Sequence, residues 1–192
     1  MQALRRSVVL VLLIVASVLA PSGSARAQDQ SAAPKPLNLT AGLVLTPEFC
    51  ATIDKKHSEK FEVGKAACAQ LEPVLSKIFT KLTRVDDASK AADAQVVLQP
   101  RISEVGGTEK AFAFSTRELV ILMEWTVRDR EGKVLMLDTV QGTGKRHMGN
   151  MYTYKSNLKH IVEDATQDMA EQSAQKIAAA PALVKLSSAP VQ

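Results

Sequence analysis

The chain has 192 residues, of which 24 are basic and 20 acidic, for a net charge of +4. Arg5, Arg6 and Arg26 all fall within the first 27 residues and no acid does, so the other 165 carry 21 basic against 20 acidic groups, or +1. Near-neutrality excludes nucleic acid as the expected partner, and 165 residues suit a single domain able to bury a real core.

Residues 1–27 read as a secretory signal peptide. Arg5-Arg6 gives the charged start, Val8 to Ala20 the apolar run, and Ala25-Arg26-Ala27 the small-residue cleavage site after Ala27. The run is shorter than the roughly 20 apolar residues of a spanning helix. No Cys follows it, so the expectation is export to the periplasm without a lipid anchor. Residues 28–36 read as a disordered leader and 37–180 as one α/β domain. Residues 181–192, with Pro181, Ser187-Ser188 and Pro190, read as a disordered tail.

The domain opens on a strand over 37–49, where Leu39, Ala41, Leu43 and Leu45 alternate with their neighbours and Pro47 ends the pattern. From Val63, the apolar residues Cys68, Leu71, Leu75, Ile78 and Leu82 recur at steps of three and four, which predicts one helix bent at Pro73. Ala94, Val96, Leu98 and Ile102 mark a strand that Pro100 restricts to a sheet edge or to local irregularity. The longest strand places Leu119, Ile121, Met123, Trp125 and Val127 on one face. Asp129-Arg130-Glu131-Gly132 turns it into a returning strand over 134–141, closed by Gly142-Thr143-Gly144. A last helix begins near Asn157 as its cap, carries Ile161, Ala165, Met169, Ala170, Ala174 and Ile177 inward, and stops at Pro181. This order defines an α+β fold: a two-layer sandwich, mostly antiparallel sheet, with two helices on one face.

Cys50 and Cys68 make an even count in an exported chain, so a disulfide between them and a pair of buried thiols both stay open. Side chains that could perform chemistry do not assemble. Gly142-Thr143-Gly144-Lys145-Arg146 lacks the spacing of a phosphate loop. His160 and Asp164 lie four apart on a helix, close enough to pair, but no Gly-x-Ser-x-Gly elbow supplies a nucleophile. Glu118 and Glu124 share a strand face roughly 20 Å apart, too far for a two-carboxylate mechanism. His57, His147 and His160 lack metal-ligand spacing. The expectation is no enzyme, no cofactor and no metal.

Two features point to protein contacts instead. Val120 and Leu122 are apolar on the strand face opposite the helices, where a one-sided sheet should be polar. Lys145 and Arg146, followed by Met148, Met151, Tyr152 and Tyr154, are expected in a loop between hairpin and helix, where Met and Tyr suit partner contacts. Val120, Leu122, Lys145, Arg146, Met151, Tyr152 and Tyr154 are therefore the candidate partner surface.

Val63-Gly64-Lys65 with its helix, Ala92-Asp93-Ala94-Gln95-Val96-Val97-Leu98 with its strand, the turn Arg128 to Lys133, and Glu163-Asp164-Ala165 in the last helix together resemble small bacterial envelope domains. These are the YajG-like, penicillin-binding-protein-activator-like and curli-secretion-lipoprotein-like α/β domains, and the resemblance spans about residues 37–180. It implies a non-enzymatic accessory or assembly role associated with the outer membrane. The expected function is an exported binding module that contacts another envelope protein. A second copy of the chain and a peripheral membrane surface are the other partners compatible with it. The alternative is a carrier of a lipid or other apolar ligand in a cavity lined by Leu75, Ile78 and Met123.

Overall fold

The alternating and helical patterns resolve into five strands and four helices in a computed structural model that describes residues 34–54, 61–107, 115–150 and 152–189. All of these belong to one compact unit, residues 32–192. The expected signal peptide and most of the expected leader lie outside the described residues. Residues 34–36 precede the first strand without helix or strand structure.

Strand β1 (Leu37–Val44) is followed by one helical turn, α1 (Pro47–Cys50), and by helix α2 (Val63–Leu75). Strand β2 (Phe79–Val85) comes next, then a 3-10 turn, Ala88–Ala91, and strand β3 (Val96–Gly107). Strands β4 (Thr116–Asp129) and β5 (Val134–His147) form the long hairpin. Helices α3 (Tyr154–Ala179) and α4 (Pro181–Ser187) end the unit. The sheet order is β2-β1-β3-β4-β5, with β1 parallel to both neighbours and the longer ladders of β3, β4 and β5 antiparallel. The fold is α+β, with helices packed on one face of a mostly antiparallel sheet.

The core lies where β4 meets the helices. Ile121, Met123, Trp125 and Val127 are fully buried, alternating with half-buried residues, as a period of two requires. From α3, Ile161, Ala165, Met169, Ala170 and Ile177 meet them. Each large side chain taken fully from water contributes about 1.5–3 kcal/mol. Trp125 also has a polar requirement, which Ser173 meets: the indole Nε1–H donates to its Oγ at 2.9 Å inside the core. Ser173→Ala leaves that N–H without its acceptor. The expected loss is about 1–3 kcal/mol in urea unfolding, followed by the fluorescence of the only Trp.

Several expectations need correction. The helix after Val63 stops at Leu75 and does not bend onward to Leu82. Pro73 withholds one N–H near its end, Ser76 Oγ donates back to the Pro73 carbonyl at 3.0 Å, and Phe79 enters a strand beside β1. Leu82 is thus a strand residue. β3 lies inside the sheet, but β1 pairs only with its residues 96–98, so Pro100 falls just past the end of β1, where no ladder bond is asked of it. A register irregularity follows between Ile102 and Glu104.

β5 runs on to His147, six residues beyond the expected end at Gln141. Gly142 and Gly144 are mid-strand, where α3 passes directly over the backbone. Of the residues expected as a loose tail, Pro181–Ser187 form α4, which buries Leu183 fully and which Pro181 starts at its first position, while 190–192 lie outside the described residues. Asn157 is not the cap of α3. It sits within the first turn, and its amide donates to the His147 and Met148 carbonyls at 3.2 and 3.1 Å, tying the end of β5 to the helix.

Cys50 and Cys68 are joined, with sulfurs 1.99 Å apart and Cα atoms 5.8 Å apart, so that α1 is clamped onto α2. Gly64 makes that approach possible, since a Cβ there would fall 2.7 Å from the Thr52 amide nitrogen. Leu75, Ile78 and Met123 are the residues expected to line a ligand cavity. All three are fully buried in the packed core.

Candidate binding surface

Strand alternation divides the basic run at the end of β5. Lys145 stands opposite Glu118 and Arg146 opposite Arg117, on successive positions and hence on opposite faces. Arg146 faces the helices, where its guanidinium grips the Asp164 carboxylate with both Nε and Nη2, the latter at 2.9 Å. Asp164 is thereby taken from His160, whose Nδ1 pairs with Glu163 Oε2 at 2.9 Å instead. Arg117 is buried beneath this layer at 3% exposure, lies 5.0 Å from the Phe61 ring centroid, and donates to the Tyr154 hydroxyl at 3.3 Å. Arg146, its side chain 40% exposed, and Tyr154 are thus tied to partners within the fold, while Met148 is fully buried. Met151 lies outside the described residues. Tyr152 is 96% exposed.

Among the described residues, the opposite face of the sheet is the open one. Along β4 it presents Glu118, Val120, Leu122, Glu124 and Thr126, all half-buried. Val120 stands between Gly106 of β3 and Thr143 of β5, and Leu122 between Glu104 and Gln141. Gly106 contributes no side chain, and a Cβ there would meet nothing within 4 Å, so Val120 is flanked by open space. Glu118 with Lys145 closes one end of the strip. At the other end, Glu124 Oε2 pairs with Arg101 Nε at 3.3 Å. Leu137, 75% exposed and opposite Thr126, continues the apolar character past that pair. An apolar centre with a charged rim is the composition of a protein contact patch.

The outer edge of β5 is protected in a way that periodicity does not reveal. Asp168 Oδ2 accepts from the Thr143 amide at 2.8 Å. Lys176 Nζ donates to the Thr139 carbonyl at 2.8 Å and to Asp138 Oδ1 at 2.9 Å. The Lys176 hydrogen bond holds the Asp138 carboxyl below its usual range. Two side chains of α3 thus occupy backbone groups that an added strand would need. In the sequence, Asp168 and Lys176 read as solvated helix residues, with no spacing signal to distinguish them.

The described residues therefore form a two-layer α+β module with an open, partly apolar sheet face, and they hold no group of three or more His, Cys, Asp or Glu placed to bind a metal. No protein-family model matches the chain, and no curated protein matches it. Among solved structures, an uncharacterised lipoprotein B from Nitrosomonas europaea is similar over 82% of this chain and 93% of its own, at 14% identity and a TM-score of 0.48. A minor lipoprotein from Acinetobacter baumannii is similar over 75% and 93%, at 15% identity and a TM-score of 0.48. A PelC dodecamer from Paraburkholderia phytofirmans is similar over 71% and 91%, at 13% identity and a TM-score of 0.37.

Proposed function

We propose that the chain is an exported accessory protein of the bacterial envelope that works by binding another envelope protein through the open face of its sheet. The supporting observation is the strip of Val120 and Leu122 with Leu137, apolar side chains on the face that no helix among the described residues covers. The export pattern in residues 1–27 and the Cys50–Cys68 bridge, which suits an oxidising compartment, support the location. In this reading the protein is non-enzymatic and, like the YajG-like and related domains it resembles, acts by assembly. In this reading Lys145 at the rim joins the contact, and the exposed Tyr152 is a second candidate contact residue.

The test is cross-linking in intact cells from a photoreactive residue at position 122, followed by peptide identification. Val120→Glu places a charge at the centre of the patch and is expected to weaken partner capture at least about 30-fold, the size of a central contact residue. Its melting temperature should stay near that of the parent, because the side chain faces solvent. Tyr152→Ala is the companion variant. Retention of every cross-linked partner by both variants would overturn the assigned surface.

A further inference from the structure

We propose that the groove between α2 and α3 binds a single-chain anionic lipid, with its acyl chain on the apolar floor and its headgroup at Lys155. This site lies on the helical layer and is independent of the protein contact assigned to the open sheet face. The groove measures about 520 Å³, and Phe61, Ala66, Leu158 and Val162 are among the residues lining it. That size falls within the range of about 300–1,000 Å³ of small-molecule clefts. An apolar floor between charged walls suits one chain.

Charge at the rim selects the headgroup. Lys65 pairs with Glu62 at 3.4 Å and Lys159 with Glu163 at 3.5 Å. Glu163 also accepts from His160, and these contacts hold it below the usual carboxylate range, the His160 hydrogen bond first. The acids of the rim are thus committed. Lys155, exposed in the first turn of α3, is paired with no acid among the described residues.

Its position also runs against the helix that carries it. The N-terminus of a helix favours negative side chains, yet the first turn of α3 holds no acid. Lys155, Lys159 and His160 occupy its first two turns. A cationic start adds nothing to the stability of α3, and it adds to the positive end of the helix dipole at the mouth of an apolar trough. Local rules are broken in this manner where a site requires it. An anionic headgroup at Lys155 restores the balance, while the chain covers Leu158 and Val162.

Titration calorimetry of the purified protein with dodecanoate, below its micelle concentration, tests the site. Dodecyltrimethylammonium and dodecyl maltoside are the charge controls. Saturable 1:1 binding of dodecanoate, tighter than that of either control, is expected. Lys155→Glu should weaken it roughly fivefold or more, the size of one charge contact. Leu158→Asp should abolish it while the melting temperature shows the fold intact. Val120→Glu, on the opposite face, should leave it unchanged, which separates this site from the partner surface. Absence of saturable binding overturns the proposal, as does binding that Leu158→Asp in a folded protein leaves untouched. Flotation with phosphatidylglycerol vesicles in the absence of monomer binding would assign the lysines to a membrane surface instead, and would also overturn it.

Discussion

Gly144→Ala is expected to lower the stability of the folded chain by about 3 kcal/mol, although it adds one methyl group to a strand. The cause is the closeness of α3. A Cβ at Gly144 would fall on the Ile161 carbonyl oxygen and 2.9 Å from the Ala165 nitrogen, both backbone atoms of the helix. At Gly142 it would meet the Ala165 carbonyl oxygen and lie 2.8 Å from the Met169 nitrogen. Helix backbone has no rotamer by which to yield, so α3 as a whole must lift from β5. Moving it also strains the Thr143–Asp168 and Arg146–Asp164 contacts, and it loosens the packing of Ile161, Ala165 and Met169 on the sheet. The control is Gly106→Ala, where the added carbon meets nothing within 4 Å and the change should stay within about 0.5 kcal/mol. Equal unfolding midpoints in urea for Gly144→Ala and Gly106→Ala would refute the account.

Breaking the Cys50–Cys68 bridge should cost a similar amount. The two residues are 18 apart in sequence, and closing a loop of that size restricts the unfolded chain by about 3 kcal/mol in the chain-entropy model. The folded state also relies on the bridge. α1 is a single turn, held by its Thr46 cap, by Phe49 packed into the core, and by the covalent link to α2. Cys50→Ser with Cys68→Ser should therefore lower the unfolding midpoint and raise protease cleavage near Thr52 ahead of global unfolding. Treating the parent with reductant should reproduce both effects and should change nothing in the double variant. A double variant as stable as the parent would show that packing alone holds α1.

The sheet shows where pattern reading succeeds. Leu119, Ile121, Met123, Trp125 and Val127 form a strict alternation bounded by a turn signal, so their face, their burial and the hairpin that follows were legible. The helical stripe after Val63 was legible up to Leu75 and misleading beyond it. Ile78 and Leu82 stay in helical phase by coincidence, because residues three and four apart can also serve as the inward residues of a turn and a strand. The candidate surface was partly legible. Val120 and Leu122 could be placed on the outer face by counting, and Lys145 by the same count once β5 is known to extend that far. Arg146 and Tyr154 could not be placed, because their partners Asp164 and Arg117 are 18 and 37 residues away in sequence.

Where a pattern runs long, as in β4 and α3, sequence by itself determined the class of structure and its buried face, because helix and strand each impose a period on apolar residues that needs no knowledge of distant neighbours. It also set the near-neutral charge of residues 28–192 and the export-like pattern before them. Tertiary structure alone decided what the polar and small residues do. Whether Gly142 and Gly144 end a strand or seat a helix, and whether Lys155 stands free or paired, depends on which segments the folded chain brings within a few ångströms. Hydrogen bonds, ion pairs and close backbone approach act only at that range.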